Sequence, residues 1–105
     1  MEKIFSFLKN IPTVSNEEIF QTILQNNKVK IERIVSFGQT SQKDFWYNQN
    51  KDECVLVLDG SATIEYDDGS AYNLNKGDFL YIGANQKHKV TYTQNPTVWL
   101  AVWLS

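Results

Sequence analysis

The sequence predicts an all-β sandwich or barrel preceded by a short amphipathic helix, and three observations carry that prediction. From residue 28 onward, apolar side chains recur at every second position, the period of a half-buried strand. Compact turn signals separate the runs: Asp59-Gly60, Asp68-Gly69, Lys76-Gly77-Asp78 and Asn95-Pro96. No second helical pattern intervenes between them, so the chain does not alternate strands with helices.

The helix is expected in "TVSNEEIFQTILQNN". Ser15 stands three residues before Glu18, as in a capping box, and acidic residues fill the first turn. Ile19, Phe20, Ile23 and Leu24 then form one apolar stripe, with Asn26-Asn27 as the stop. Residues 1–27 are therefore expected to be an N-terminal segment packed on a barrel of residues 28–105, one domain overall.

The strands begin with "KVKIERIVSF". Val29, Ile31, Arg33, Val35 and Phe37 share one face, and Lys30, Glu32, Ile34 and Ser36 the other. "CVLVLDG", "SATIEYDDGSAYNL", "GDFLYIG", "HKVTYT" and "VWLAVWL" follow. In the last of these, Val98, Leu100, Val102 and Leu104 oppose Trp99, Ala101 and Trp103, so both faces are apolar and both need cover. Core and subunit interface are the expected places for Trp99 and Trp103, and a homodimer is expected.

Composition narrows the classes. A chain of 105 residues fits one compact domain, and an aromatic fraction of 13% favours a packed protein over a disordered one. Lys+Arg 10 against Asp+Glu 12, with "KVKIER" as the one basic cluster, argues against a nucleic-acid partner. Charges interrupt the apolar residues of "MEKIFSFLKNIP", and no later run reaches the length of a membrane span. Cys54 is the single cysteine, so no intrachain disulfide forms. The expectation is a cytoplasmic protein with neither membrane nor nucleic acid as partner.

Two local motifs resemble those of the cupin superfamily, whose small members are jelly-roll β-barrels. Glu53, six residues and Gly60 match the second half of the first cupin motif. Gly77, five residues, Gly83-Ala84-Asn85, two residues, His88, three residues and Tyr92 keep the spacing of the second. The stretch from Ile31 onward also looks like a group of small single-domain cupins of uncharacterised function. The departures are specific. The paired histidines of the first motif fall on Trp46 and Asn48, or on Tyr47 and Gln49. Gly83 replaces a proline, Asn85 a glycine and Tyr92 an asparagine.

What the resemblance implies is a barrel cavity that takes a small-molecule ligand. In metal-binding relatives, histidines and a glutamate hold a divalent ion such as Fe, Mn, Zn or Ni, and only Glu53 and His88 carry over as ligands. Two protein groups make a weak site for such an ion. Glu53 and His88 are also the candidate catalytic pair, as base and orienter. The candidate ligand-binding residues are Arg33, Trp46, Tyr47, Asn48, Gln49, Glu53, His88 and Tyr92. One of Trp46 and Tyr47 should face the pocket and the other away. His88, Val90 and Tyr92 share a strand face. Cys54, adjacent to Glu53 on a strand, should point away from it into the core. Arg33 lies on an apolar face and needs a carboxylate partner, Glu53 or Asp44, or an anionic ligand. Two functions from different classes follow: a small-molecule-binding cupin with an aromatic-lined cavity, or a metal-dependent dioxygenase, isomerase or lyase.

Overall fold

The computed structural model describes residues 4–105. The described residues form eight strands: β1 (Ile19–Gln25), β2 (Val29–Ser36), β3 (Asp52–Asp59), β4 (Ser61–Tyr66), β5 (Ala71–Asn75), β6 (Phe79–Ile82), β7 (His88–Thr93) and β8 (Thr97–Leu104). They make a five-stranded sheet in the order β1-β2-β8-β3-β6 and a three-stranded sheet in the order β5-β4-β7. All pairings are antiparallel, in keeping with a jelly roll.

The expected N-terminal helix is replaced by β1. Its residues pair with β2, Ile19 opposite Val35 and Gln21 opposite Arg33, with a register shift that leaves Ile23 unmatched. That bulge is the reason for the misreading, because an irregular strand carries no clean alternation and its apolar positions mimic a helical stripe. The capping box is also absent. Ser15 Oγ accepts the Glu17 N–H at 3.2 Å, while the Glu18 carboxylate accepts from Ser36 Oγ. Asn26 closes the hairpin instead of a helix, its side-chain oxygen accepting the N–H groups of Lys28 and Val29 at 2.8 and 3.0 Å.

The core lies between the sheets. Ile34, Val55, Val57, Trp99 and Ala101 from the larger sheet meet Ala62, Ile64 and Leu74 from the smaller. The inward face of β2 is thus the face of Ile34, and Arg33 points the other way. Its Nη1 donates to the carbonyls of Phe7 and Lys9 at 3.2 and 2.9 Å, and its Nη2 to Gln21 Oε1 at 2.8 Å. The guanidinium also lies 5.0 Å from the Phe5 ring centroid. Neither Glu53 nor Asp44 is its partner: backbone carbonyls satisfy it and strap residues 5–10 across the outside of the sheet.

A second bulge re-aims β7. Thr63 faces Tyr92 and Ile64 faces Val90, so Thr91 is unmatched and the alternation inverts beyond it. His88 and Thr93 are buried, whereas Tyr92 is 49% exposed. The expectation that Tyr92 shares the face of His88 fails for this reason. Cys54 does oppose Glu53, but on the outer face, where it is partly exposed and not core.

Candidate functional site

Between the sheets lies a cavity of about 130 Å³. Its walls are mostly apolar: Ile34, Val55 and Ile82 on the larger sheet and Ile64 and Val90 on the smaller. Four aromatic rings, Phe20, Tyr47, Trp99 and Trp103, complete the lining. The polar groups are Glu18, Gln49, Glu53 and His88, and no Lys or Arg among the described residues lines the space. Phe20 and Tyr47, which are 57% and 37% exposed, connect it to solvent.

Strand pairing positions the central pair. Glu53 stands between Ile82 on β6 and Trp103 on β8, which holds its side chain inward and leaves it 6% exposed. His88 opens β7 opposite Tyr66, and its backbone exchanges hydrogen bonds with Tyr47 at 2.7 and 3.1 Å. That bridge stacks the Tyr47 ring on the imidazole, with centroids 5.5 Å apart and planes at 24°. The loop carrying Tyr47 is fixed further by Asn85 N–H donating to the Gln49 carbonyl at 2.6 Å.

Glu53 Oε1 and His88 Nε2 lie 3.8 Å apart. Gln49 Nε2 donates to Glu53 Oε1 at 3.0 Å. His88 Nδ1 lies 2.9 Å from the Gln86 carbonyl, which only accepts, so Nδ1 carries the proton and Nε2 presents its lone pair toward Glu53. Burial pushes the Glu53 carboxyl up to about 7; the Gln49 hydrogen bond opposes this and the Glu32 charge adds to it. Burial holds His88 below its ordinary value against the pull of the Gln86 carbonyl. Near neutral pH the pair is therefore a carboxyl sharing its proton with solvent and a neutral imidazole, not a fixed ion pair.

The remaining aromatic groups are held by polar contacts at their edges. Trp99 Nε1 donates to Ser36 Oγ at 3.1 Å, and Ser36 in turn to Glu18. Trp103 Nε1 donates to Glu32 Oε1 at 2.9 Å. Burial raises the Tyr47 phenol, with the Glu18 and Glu53 charges adding, so it stays protonated.

Of the residues singled out from sequence, Glu53, His88, Tyr47 and Gln49 line the cavity. Trp46 does not; its ring faces the Lys89 ammonium at 4.4 Å, so the neighbouring aromatics do part in opposite directions. Asn48 is exposed, Tyr92 points outward and Arg33 is strapped on the far face. Sequence reasoning missed Glu18, Phe20, Trp99 and Trp103 as lining. For the two tryptophans, the alternation of β8 with Ala101 was the available signal. For Glu18 and Phe20 none existed, because their position depends on β1 pairing with β2.

The donor set does not fit a tightly held divalent ion. Glu53 and His88 supply two ligands, Gln49 and Tyr47 occupy one of the alternative histidine registers, and Glu18 does not join them. Among the described residues no three of His, Cys, Asp and Glu gather closely enough to hold a metal.

The model of the cupin domain matches residues 35–103. A solved structure from Ralstonia eutropha, of a protein provisionally named a mannose-6-phosphate isomerase, superposes with a TM-score of 0.94 at 39% identity, covering 99% of each chain. A cupin superfamily protein from Desulfitobacterium hafniense superposes at 0.76 with 21% identity, over 90% of this chain and 83% of that one. The DMSP lyase DddQ from Ruegeria pomeroyi gives 0.72 at 13% identity, over 84% of this chain and 47% of the other, a likeness of fold alone. No curated protein matches the sequence.

Proposed function

Because this chain belongs to the cupin family, we propose that its barrel cavity binds a small molecule and presents to it Glu53 and His88 as a proton-donor and proton-acceptor pair. The observation that carries the reading is the 3.8 Å approach of Glu53 Oε1 to His88 Nε2 on the wall of an apolar cavity. A carboxyl near 7 gives up or takes a proton at little cost at neutral pH, and the His88 lone pair is turned to receive it. Such a pair suits proton transfer between adjacent carbons or oxygens, the chemistry of isomerases and lyases. The activity in the name of the Ralstonia protein is compatible with that class. Its phosphosugar is a poor fit here, since two carboxylates and no cationic side chain among the described residues line the cavity, and a phosphate would meet repulsion. A metal-dependent reaction would need ligands that the described residues of the cavity do not bring together.

The tryptophans report occupancy. Trp99 and Trp103 line the cavity and Trp46 lies outside it. Titrating a set of benzene-sized soluble compounds should shift the indole N–H resonances of Trp99 and Trp103 and leave that of Trp46 in place. A space near 130 Å³ accepts a molecule of roughly that size. Shifts confined to Trp46, or none with any compound, would refute the pocket.

We further propose a homodimer through the outer face of the larger sheet. The tryptophan face of β8 is used by the cavity, but its other face continues through Leu56 to Phe79, Tyr81 and Leu104, exposed by 62%, 53% and 41%. A contiguous apolar face of this kind is self-complementary about a two-fold axis.

A further inference from the structure

We propose that the ligand of this cavity is a small organic cation, an ammonium compound whose charge is met by Glu53 and Glu18 and whose alkyl groups are enclosed by Phe20, Tyr47, Trp99 and Trp103. The inference rests on the small-molecule reading above and names its ligand class. Three features of the cavity agree. Among the described residues its charged side chains are carboxylates alone, with no Lys or Arg in the lining. Glu53 is 94% buried, by its 6% exposure, and the one basic side chain paired with it, His88 at 3.8 Å, is held neutral by burial, so no cation among the described residues answers its charge. Four aromatic rings surround the same space, and ring faces attract an alkylammonium that has left water. A neutral apolar ligand would use the rings but keep Glu53 protonated and draw nothing from the carboxylates, and an anion would add repulsion.

The groups facing Glu53 are Glu32 from β2, Tyr66 from β4, His88 from β7, and Gln49 and Tyr47 from the loop before β3. Lys30, on the same face of β2, is engaged by Glu32 at 3.5 Å, and none of the groups that face Glu53 is itself a cation at neutral pH. With its carboxyl near 7, Glu53 must lose its proton to pair with the ligand, so cation affinity rises with pH through that value.

Choline and its neutral carbon isostere, in which a quaternary carbon replaces the nitrogen, separate charge from shape, and neither head group titrates. Calorimetric titration of the full chain should show choline binding about tenfold or more tightly than the isostere at pH ~8. Choline should bind about tenfold more weakly at pH ~6 than at pH ~8, following the ionised fraction of Glu53. Glu53→Gln should remove most of that pH dependence and leave the isostere unaffected, with Glu18→Gln at the mouth as a second variant expected to weaken choline alone. Equal binding of the two probes, or choline affinity independent of pH, would overturn the cation assignment. So would a failure of both probes while neutral benzene-sized compounds still move the Trp99 and Trp103 resonances, an outcome that spares the pocket itself. If no compound moves those resonances, both readings fall together.

Discussion

Glu53→Gln raises the stability of the ligand-free protein at pH ~8 and leaves it nearly unchanged at pH ~4. The carboxyl stands at about 7 in the folded chain against an ordinary 4.5. Between those values the folded state keeps a proton that the unfolded state has released, so stability falls as pH rises through the window. Below the lower value both states are protonated and nothing is lost. Above the upper value the loss is complete, of order ~3 kcal/mol at most. Gln cannot ionise, and it retains an oxygen for Gln49. Its melting temperature at pH ~8 should therefore exceed that of the wild type by on the order of 10 °C. His88 contributes in the opposite sense. Its folded-state value is held below 6.5, so its share of stability is lost as pH falls. Because both proteins contain His88, the difference between their pH profiles isolates Glu53. A variant with the wild-type slope, or one destabilised at pH ~8, would mean that Glu53 is not held in an unfavourable charged state.

Gly60→Ala should be among the most damaging of small substitutions, and Gly69→Ala its control. Both glycines have a φ of +90°, a conformation that L side chains rarely adopt. A Cβ at Gly60 would lie 2.6 Å from the Pro96 carbonyl oxygen and 2.9 Å from Thr97 Cα, both backbone atoms. At Gly69 a Cβ would meet nothing within 4 Å. Gly69→Ala then carries the conformational cost alone, about 1–2 kcal/mol. Gly60→Ala adds the displacement of β8 at the point where β3 leaves the larger sheet for the smaller, for a total of at least ~3 kcal/mol. Urea unfolding midpoints of the two variants read the difference. Equal losses would show that the turn, and not the close approach of chains, sets the need for glycine.

These two sites show what in the sequence was legible. Gly60 and Glu53 stood at the spacing of a cupin motif, which placed Glu53 on the cavity lining, and the even alternation of β3 set Cys54 on the opposite face. His88 and Val90 were legible for the same reason. Tyr92 was not, because the bulge at Thr91 inverts the phase and comes from how β7 meets β4, information outside the strand's own residues. The stripe Ile19, Phe20, Ile23, Leu24 satisfies helical spacing, and its choice of strand is made by the free edge of β2, a partner distant in sequence. Arg33 illustrates a third limit. Its apolar neighbours were read correctly, but which face of β2 is inward was settled by Ile34 meeting the core and by residues 5–10 covering the other side. The cavity inherits each of these events. Glu53 and His88 came from local pattern, whereas Glu18 and Phe20 entered through strand pairing and a bulge.

The acid–base pair and the cavity are one structural feature, since the strands that bury Glu53 raise its carboxyl and the bridge to Tyr47 fixes His88. The measurement that tests this most directly is a crystal structure of the protein soaked with a compound that moves the Trp99 and Trp103 resonances. The account predicts density between the two sheets, with a polar or charged group of the ligand within hydrogen-bonding distance of Glu53 Oε2 or His88 Nε2. Density lodged instead in the open groove beside Tyr66, Tyr72 and Tyr81, with the space between Glu53 and His88 unchanged, would contradict it.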